Sequence, residues 1–186
     1  MRKLIYFTMA SVDGFMDNLD HNLDWVIIDE ELHRYVNQQE REIGTYLYGR
    51  RMYEIMQAYW PTADTQSNLA VEVEFSQIWK KIPAIVFSRT LERVEGNATL
   101  VREDPVAVVT RLKEQPGKDI EVGGANLASM LMRAGLIDEY RIFVQPVILG
   151  AGTPMIPLLD EALKLRLVES RSFGSGVVFL HYQRAG

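Results

Sequence analysis

A chain of 186 residues with a net charge of −5 and 47% hydrophobic residues can bury a core without help from metals or disulfides. It has no cysteine, which excludes disulfides, thiolate zinc sites, cysteine-ligated iron–sulfur clusters and cysteine nucleophiles. No basic run exceeds the pairs Arg50-Arg51 and Lys80-Lys81, and no apolar run approaches the roughly 18 to 20 residues that cross a bilayer, so neither nucleic acid nor membrane is an expected partner. The composition predicts a cytoplasmic protein with one domain over residues 1–186.

Leu4 to Ala10 is apolar, with β-branched and aromatic residues, and runs toward the turn-forming pair Asp13-Gly14, the pattern of a buried first strand. From Glu31 to Ile43, the residues Leu32, Tyr35, Val36 and Ile43 share one helical face, with Asp29 as N-cap. Thr45 to Tyr48 reads as a second strand and Arg50 to Ala58 as a helix starting just after Gly49. Leu69 to Lys80 is amphipathic, with Val71, Phe75, Ile78 and Trp79 on one side. Ala84 to Ser88 is a third strand, bounded by Pro83 and by Arg89-Thr90.

Asp104-Pro105 supplies an N-cap oxygen and a first helical residue that needs no donor, so a helix is expected from there to about Lys113. Ile120 to Val122 is a short strand ending in Gly123-Gly124, after which Leu127, Met130, Leu131 and Ala134 form a helical stripe stopped by Gly135. Tyr140 to Gln145, Leu163 to Phe173 and Val177 to Tyr182 read as strands, the last two joined by Gly174-Ser175-Gly176. Strand–helix alternation followed by strands predicts an α/β fold: a mixed, mostly parallel sheet flanked by helices, with a C-terminal antiparallel hairpin.

Ligands of open α/β sheets bind beyond the carboxyl ends of the strands, and four loops there carry suggestive residues. Gly123-Gly124, before Ala125-Asn126, lets backbone N–H groups approach a pyrophosphate at a helix start, or is simply a tight turn; it lacks the spaced glycine fingerprint. Arg50-Arg51 opposes the dipole of its own helix unless an anion collects both charges, or else both point into water. Ser88-Arg89-Thr90 offers further donors or a solvated turn, and Asp13-Gly14 is at least a turn. His21, His33 and His181 have no metal-ligand spacing, and no serine stands in a nucleophile elbow.

The stretch Ile120 to Gly152, IEVGGANLASMLMRAGLIDEYRIFVQPVILGAG, closely resembles the RibD C-terminal reductase domain family of bacterial riboflavin biosynthesis. Ser11-Val12-Asp13-Gly14, followed by Leu23-Asp24-Trp25, is similar to the first loop of that family. Tyr46 to Glu54, YLYGRRMYE, resembles dihydrofolate reductase, in which a Gly-Arg pair after the second strand helps hold the 2′-phosphate of the cofactor. The resemblance implies a dihydrofolate reductase-like fold and NADPH held by a rim comprising Ala10, Gly14, Gly49, Arg50, Arg51, Ser88, Arg89, Thr90, Gly123, Gly124, Ala125 and Asn126.

The implied activity is hydride transfer to a small heterocyclic, imine or carbonyl substrate, as in 5-amino-6-(5-phosphoribosylamino)uracil reduction, with Asp13 the first candidate for substrate contact and Glu30 and Asp24 behind it. The pteridine-binding carboxylate of dihydrofolate reductase is not matched: counting back from Gly49 leads to His33, with Asp29, Glu30 and Glu31 only nearby. The alternatives are dihydrofolate reduction, a non-catalytic NADP-binding protein, or an interaction module. A side chain at Gly124 is expected to block the cofactor without disturbing the core. The unbroken apolar run Val177-Val178-Phe179-Leu180 asks for cover on both strand faces, either from the domain's own helices or from a second copy, and with the resemblance it implies a homodimer through the C-terminal strands.

Overall fold

The computed structural model describes residues 1–185. The first strand, β1 (Leu4–Ser11), is covered on both faces, so its successive side chains enter two layers. Leu4 and Tyr6 enter a cluster on one face of the sheet, and Ile5 enters a second cluster on the other. The chain continues through α1 (Glu30–Glu40), β2 (Ile43–Gly49), α2 (Arg50–Gln66), α3 (Ala70–Trp79), β3 (Ala84–Phe87), β4 (Ala98–Val101), α4 (Pro105–Glu114), β5 (Asp119–Gly123), α5 (Ala125–Arg133), β6 (Glu139–Gln145), β7 (Leu165–Ser172) and β8 (Val178–Arg184).

All eight strands form one sheet in the order β4-β3-β2-β5-β1-β6-β8-β7. The pairs from β4 across to β6 are parallel, and β8 runs antiparallel to both β6 and β7. Helices α1, α2 and α3 cover one face, packing Leu32, Tyr35, Tyr53, Phe75 and Trp79 on Ile5, Tyr46, Tyr48 and Phe143. Helices α4 and α5 cover the other, with Val109, Leu127 and Leu131 on Leu4, Leu47 and Ile120. The connections leaving β2 and β5, which are neighbours, therefore go to opposite faces and open a crevice at their carboxyl ends.

Local chemistry accounts for most boundaries. Asp29 caps α1 by accepting the Leu32 N–H at 2.8 Å, and Asp104 caps α4 by accepting from Ala107 at 3.0 Å with Pro105 at the first helical position. Three places differ from the sequence reading. Ile43, expected on the helical face of α1, lies beyond the end of that helix at Glu40 and instead opens β2, where it is buried. Helix α2 continues past Ala58 and through Pro61 to Gln66, because Ala63 is fully buried and the Ser76 hydroxyl docks on the Trp60 carbonyl at 2.6 Å. Strand β4 was not expected: it has four residues on the sheet edge, and its position is fixed from before its start by Asn97, whose amide donates to the carbonyls of Trp79, Lys80 and Ile82.

Beneath α1 lies a buried pair of carboxyl groups, Glu40 and Glu121, 2% and 7% exposed. Tyr46 donates to Glu40 at 2.6 Å, while one oxygen of Glu121 has no partner. Burial raises the Glu40 carboxyl above the usual carboxylate range against the pull of that bond; burial and then the Glu40 charge raise Glu121 further. A carboxyl raised in the folded state contributes stability that is fully present below its unfolded value, about 4.3, and is lost as pH rises through the raised values. Glu121→Gln should therefore flatten the fall in Tm between pH 5 and pH 8 and be the more stable protein at pH 8. Superimposable profiles would show that the pair carries no such linkage.

Candidate functional site

A cleft of about 1020 Å³ opens where the topology divides, over the carboxyl ends of β2, β3, β4 and β5. Two helices point their N-termini into it. Gly49 and Gly124 are the N-caps of α2 and α5, and neither end receives a side-chain hydrogen bond, whereas α1 and α4 have their own aspartates. The first-turn N–H groups of α2 and α5 are thus presented to the cleft as anion donors.

The glycine pair has two separate reasons. A Cβ on Gly123 would lie 3.0 Å from Cε of Met52 and 3.7 Å from the Tyr48 ring, so Met52 in the first turn of α2 occupies the space that a side chain there would enter. Gly124 has φ 92 and ψ 135, a backbone region that side chains rarely adopt. A side chain at Gly124 would therefore strain the turn itself before a ligand is considered.

Arginines surround the open end. Arg50 bonds Glu54 at 2.7 Å and the Thr90 hydroxyl at 3.1 Å, and Arg89 lines the same wall. Ser88 lines it too, but its hydroxyl accepts from the Thr90 and Leu91 amides, at 3.2 and 3.0 Å, and so shapes the turn. Arg102, which the sequence reading missed, is a wall residue as well: its guanidinium donates to the carbonyls of Ser88, Arg89 and Leu91 and fixes the turn after β3. Nothing near Arg102 in sequence marks it, since its partners lie on another strand end.

On the opposite wall stand Met16, Asp17 and His21 from the loop after β1, with Arg51 bridging to them. Arg51 lies 3.0 Å from the Asp17 carboxylate and donates to the His21 carbonyl at 3.0 Å. Burial alone would raise the Asp17 carboxyl, but hydrogen bonds from Thr153 and His21 and the charge of Arg51 together hold it below the usual carboxylate range.

The structure brings Gly49, Arg50, Arg51, Ser88, Arg89, Gly123, Gly124, Ala125 and Asn126 together around the cleft, with Thr90 tied to Arg50. Others lie elsewhere. Ala10 is fully buried in β1, and Gly14 forms the turn after it with φ 85. Asp13 accepts the amides of Leu149 and Gly150 at 3.1 and 2.7 Å. The Ser11 hydroxyl, followed by those amides, keeps its carboxyl below the usual range, so Asp13 holds two loops together and is poorly suited to donate a proton. Glu30 pairs with Arg34 on the exposed side of α1, and Asp24 is not among the cleft walls. At the position expected for a pteridine-binding carboxylate, His33 is buried against Trp60 and Phe75. Among the described residues, no group of three or more histidine, aspartate and glutamate side chains converges as a metal site would, and no helix is long and apolar enough to cross a membrane.

A mostly parallel sheet with a glycine-capped, arginine-rimmed cleft at its switch point defines an α/β protein of the dihydrofolate reductase-like class. The chain belongs to the RibD C-terminal domain family, whose model matches residues 2–179, and that family is one of reductases. It is 32% identical over 191 residues to the uncharacterized protein YyaP of Bacillus subtilis (strain 168), covering 100% of this chain and 96% of that one. Its fold is similar to the provisionally named riboflavin biosynthesis protein of Shewanella sp. PV-4, with TM-score 0.78, 20% identity and 99% coverage of both chains. It is also similar to Acinetobacter baumannii RibD, with TM-score 0.72 and 15% identity, where all of this chain covers 58% of that one.

Proposed function

We propose that the protein is a cytoplasmic NADPH-dependent reductase, folded as one domain over its 186 residues, that transfers a hydride to a small heterocyclic, imine or carbonyl substrate. Reduction of the kind carried out on 5-amino-6-(5-phosphoribosylamino)uracil is the favoured chemistry. The observation that carries the reading is the pair of glycine-capped helix starts facing one cleft, with Arg50, Arg89 and Arg102 on its rim. Two phosphates joined by a bridging oxygen match two neighbouring sets of backbone donors, and a further phosphate matches the arginines. A chain of net charge −5 that gathers cations on one rim has arranged them for an anion.

When bound, the nicotinamide supplies the hydride. The chain would bind and orient it: the first-turn amides of α2 and α5, left without side-chain caps, would hold the pyrophosphate. Met16, Met52 and Leu127 give the cleft apolar walls that limit water.

A homodimer is proposed from the C-terminal strands. Val177 and Phe179 are fully buried, but Val178, Leu180 and Tyr182 alternate onto a half-exposed face, and the edge strand β7 leaves Leu165, Leu167 and Val168 exposed by 38 to 49%. A second copy would cover that strip. Light scattering should give a mass near twice 21.3 kDa, and Leu167→Asp with Leu180→Asp should halve it. Phe179 is unsuitable for this test because it is core. A monomeric parent would remove the dimer, and a dimer that survives both substitutions would move the interface.

For the cofactor, calorimetric titration at low salt should show NADPH bound at least tenfold more tightly than NADH, and Arg50→Ala should erase most of that margin, about 1.5 kcal/mol for an exposed charged contact. Equal affinities in the parent would overturn the assignment.

A further inference from the structure

Two adjacent arginines open α2, and they are in different electrostatic situations. Arg50 has an exposed partner, Glu54, one helical turn along, with side chains 54% and 47% exposed, an ion pair that exchanges readily with water or another anion. Arg51 faces a carboxylate that is nearly buried: Asp17 is 5% exposed and lies 3.0 Å away. Moving Arg51 to a ligand would leave that buried carboxylate without its main cationic partner, a costly exchange.

The segment around Asp17 is built to hold this contact. Asp17 accepts the Thr153 amide at 2.9 Å, and its own carbonyl packs so closely on Gly152 that a Cβ there would sit 1.8 Å from it. His21 is the one non-glycine among the described residues with a left-handed backbone, φ 59. In that conformation its ring lies 3.0 Å from Asp17, its N–H donates to the Asn18 carbonyl at 2.9 Å, and its carbonyl receives Arg51 at 3.0 Å. A strained residue persists where its surroundings over-determine it, and here the determinants are Asp17 and Arg51.

We propose that Asp17, His21 and Arg51 form a latch that pins the loop after β1 across the cleft, so that Arg51 contributes to ligand binding by holding the loop while Arg50 reads the charge of the ligand. Asp17 and His21 are positioning residues in this arrangement. The latch belongs to the free protein; the division of labour between the two arginines rests on the dinucleotide reading. The two parts are tested by separate measurements.

Amide hydrogen exchange of residues 16–26 is measured without ligand in the parent, Asp17→Asn, Arg51→Ala and Arg50→Ala, and NADPH and NADH affinities are measured for the same four. Asp17→Asn and Arg51→Ala should speed loop exchange at least tenfold and weaken both dinucleotides by the same factor, leaving their ratio within twofold of the parent. Arg50→Ala should leave loop exchange unchanged and lower the ratio. Because Arg51 is half exposed and Asn retains the shape of Asp17, both variants should fold, and exchange in the core strands checks that they do. Loop exchange unchanged in Arg51→Ala would overturn the latch. A ratio that falls in Arg51→Ala as it does in Arg50→Ala would make Arg51 a charge reader and overturn the division. If neither dinucleotide binds the parent, the functional reading and the division fail together, while the exchange arm still decides the latch.

Discussion

Helices α2 and α5 begin within two residues of the ends of the adjacent strands β2 and β5, and they leave on opposite faces of the sheet. The cleft depends on that geometry. At the β5–α5 turn the abrupt start requires glycine, since Gly124 holds φ 92, whereas Gly49 is extended and has open space where a side chain would stand. The missing side chain of Gly123 leaves Met52 its place against the end of β5. Without side-chain caps, the first-turn donors of both helices are left to a ligand. Sheet order, glycine position and anion chemistry are thus one arrangement seen at three scales.

Charge is organised by the same convergence. The rim arginines come from three strand ends that are distant in sequence, and Arg50, Arg51 and Arg102 are held by the backbone or a neighbouring side chain before any ligand arrives. Arg102 is spent on three carbonyls, Arg51 on Asp17, and Arg50 on an exposed glutamate. These bonds differ in how readily they exchange, and that difference separates groups that shape the cleft from groups available to a phosphate.

Much of the fold could be read from the sequence because its signals are local. Asp29, Asp104-Pro105 and Gly135 mark helix ends by chemistry confined to one turn, and the apolar run of β1 marks a buried strand. Strand β4 was illegible because its four residues are specified by Asn97 bonding to the far end of α3, and the continuation of α2 past Pro61 because burial of Ala63 is a tertiary effect. The cleft was half legible. Gly-Arg-Arg and Gly-Gly announce it, but Asp17 and His21 act through Arg51 in the next helix but one, and Arg102 through carbonyls of the turn after β3 that lie 11 to 14 residues away. Asp13 is the converse case: a residue in a telling motif whose carboxylate accepts two amides of another loop.

The central claim is that two helix starts and their glycine turns form one pyrophosphate seat. A crystal structure of the protein grown with NADPH measures this directly. The account predicts pyrophosphate oxygens within hydrogen-bonding distance of the first-turn amides of both α2 and α5, with the 2′-phosphate beside Arg50. Ordered NADPH with its pyrophosphate away from Gly123-Gly124, or seated on only one of the two helices, would contradict it.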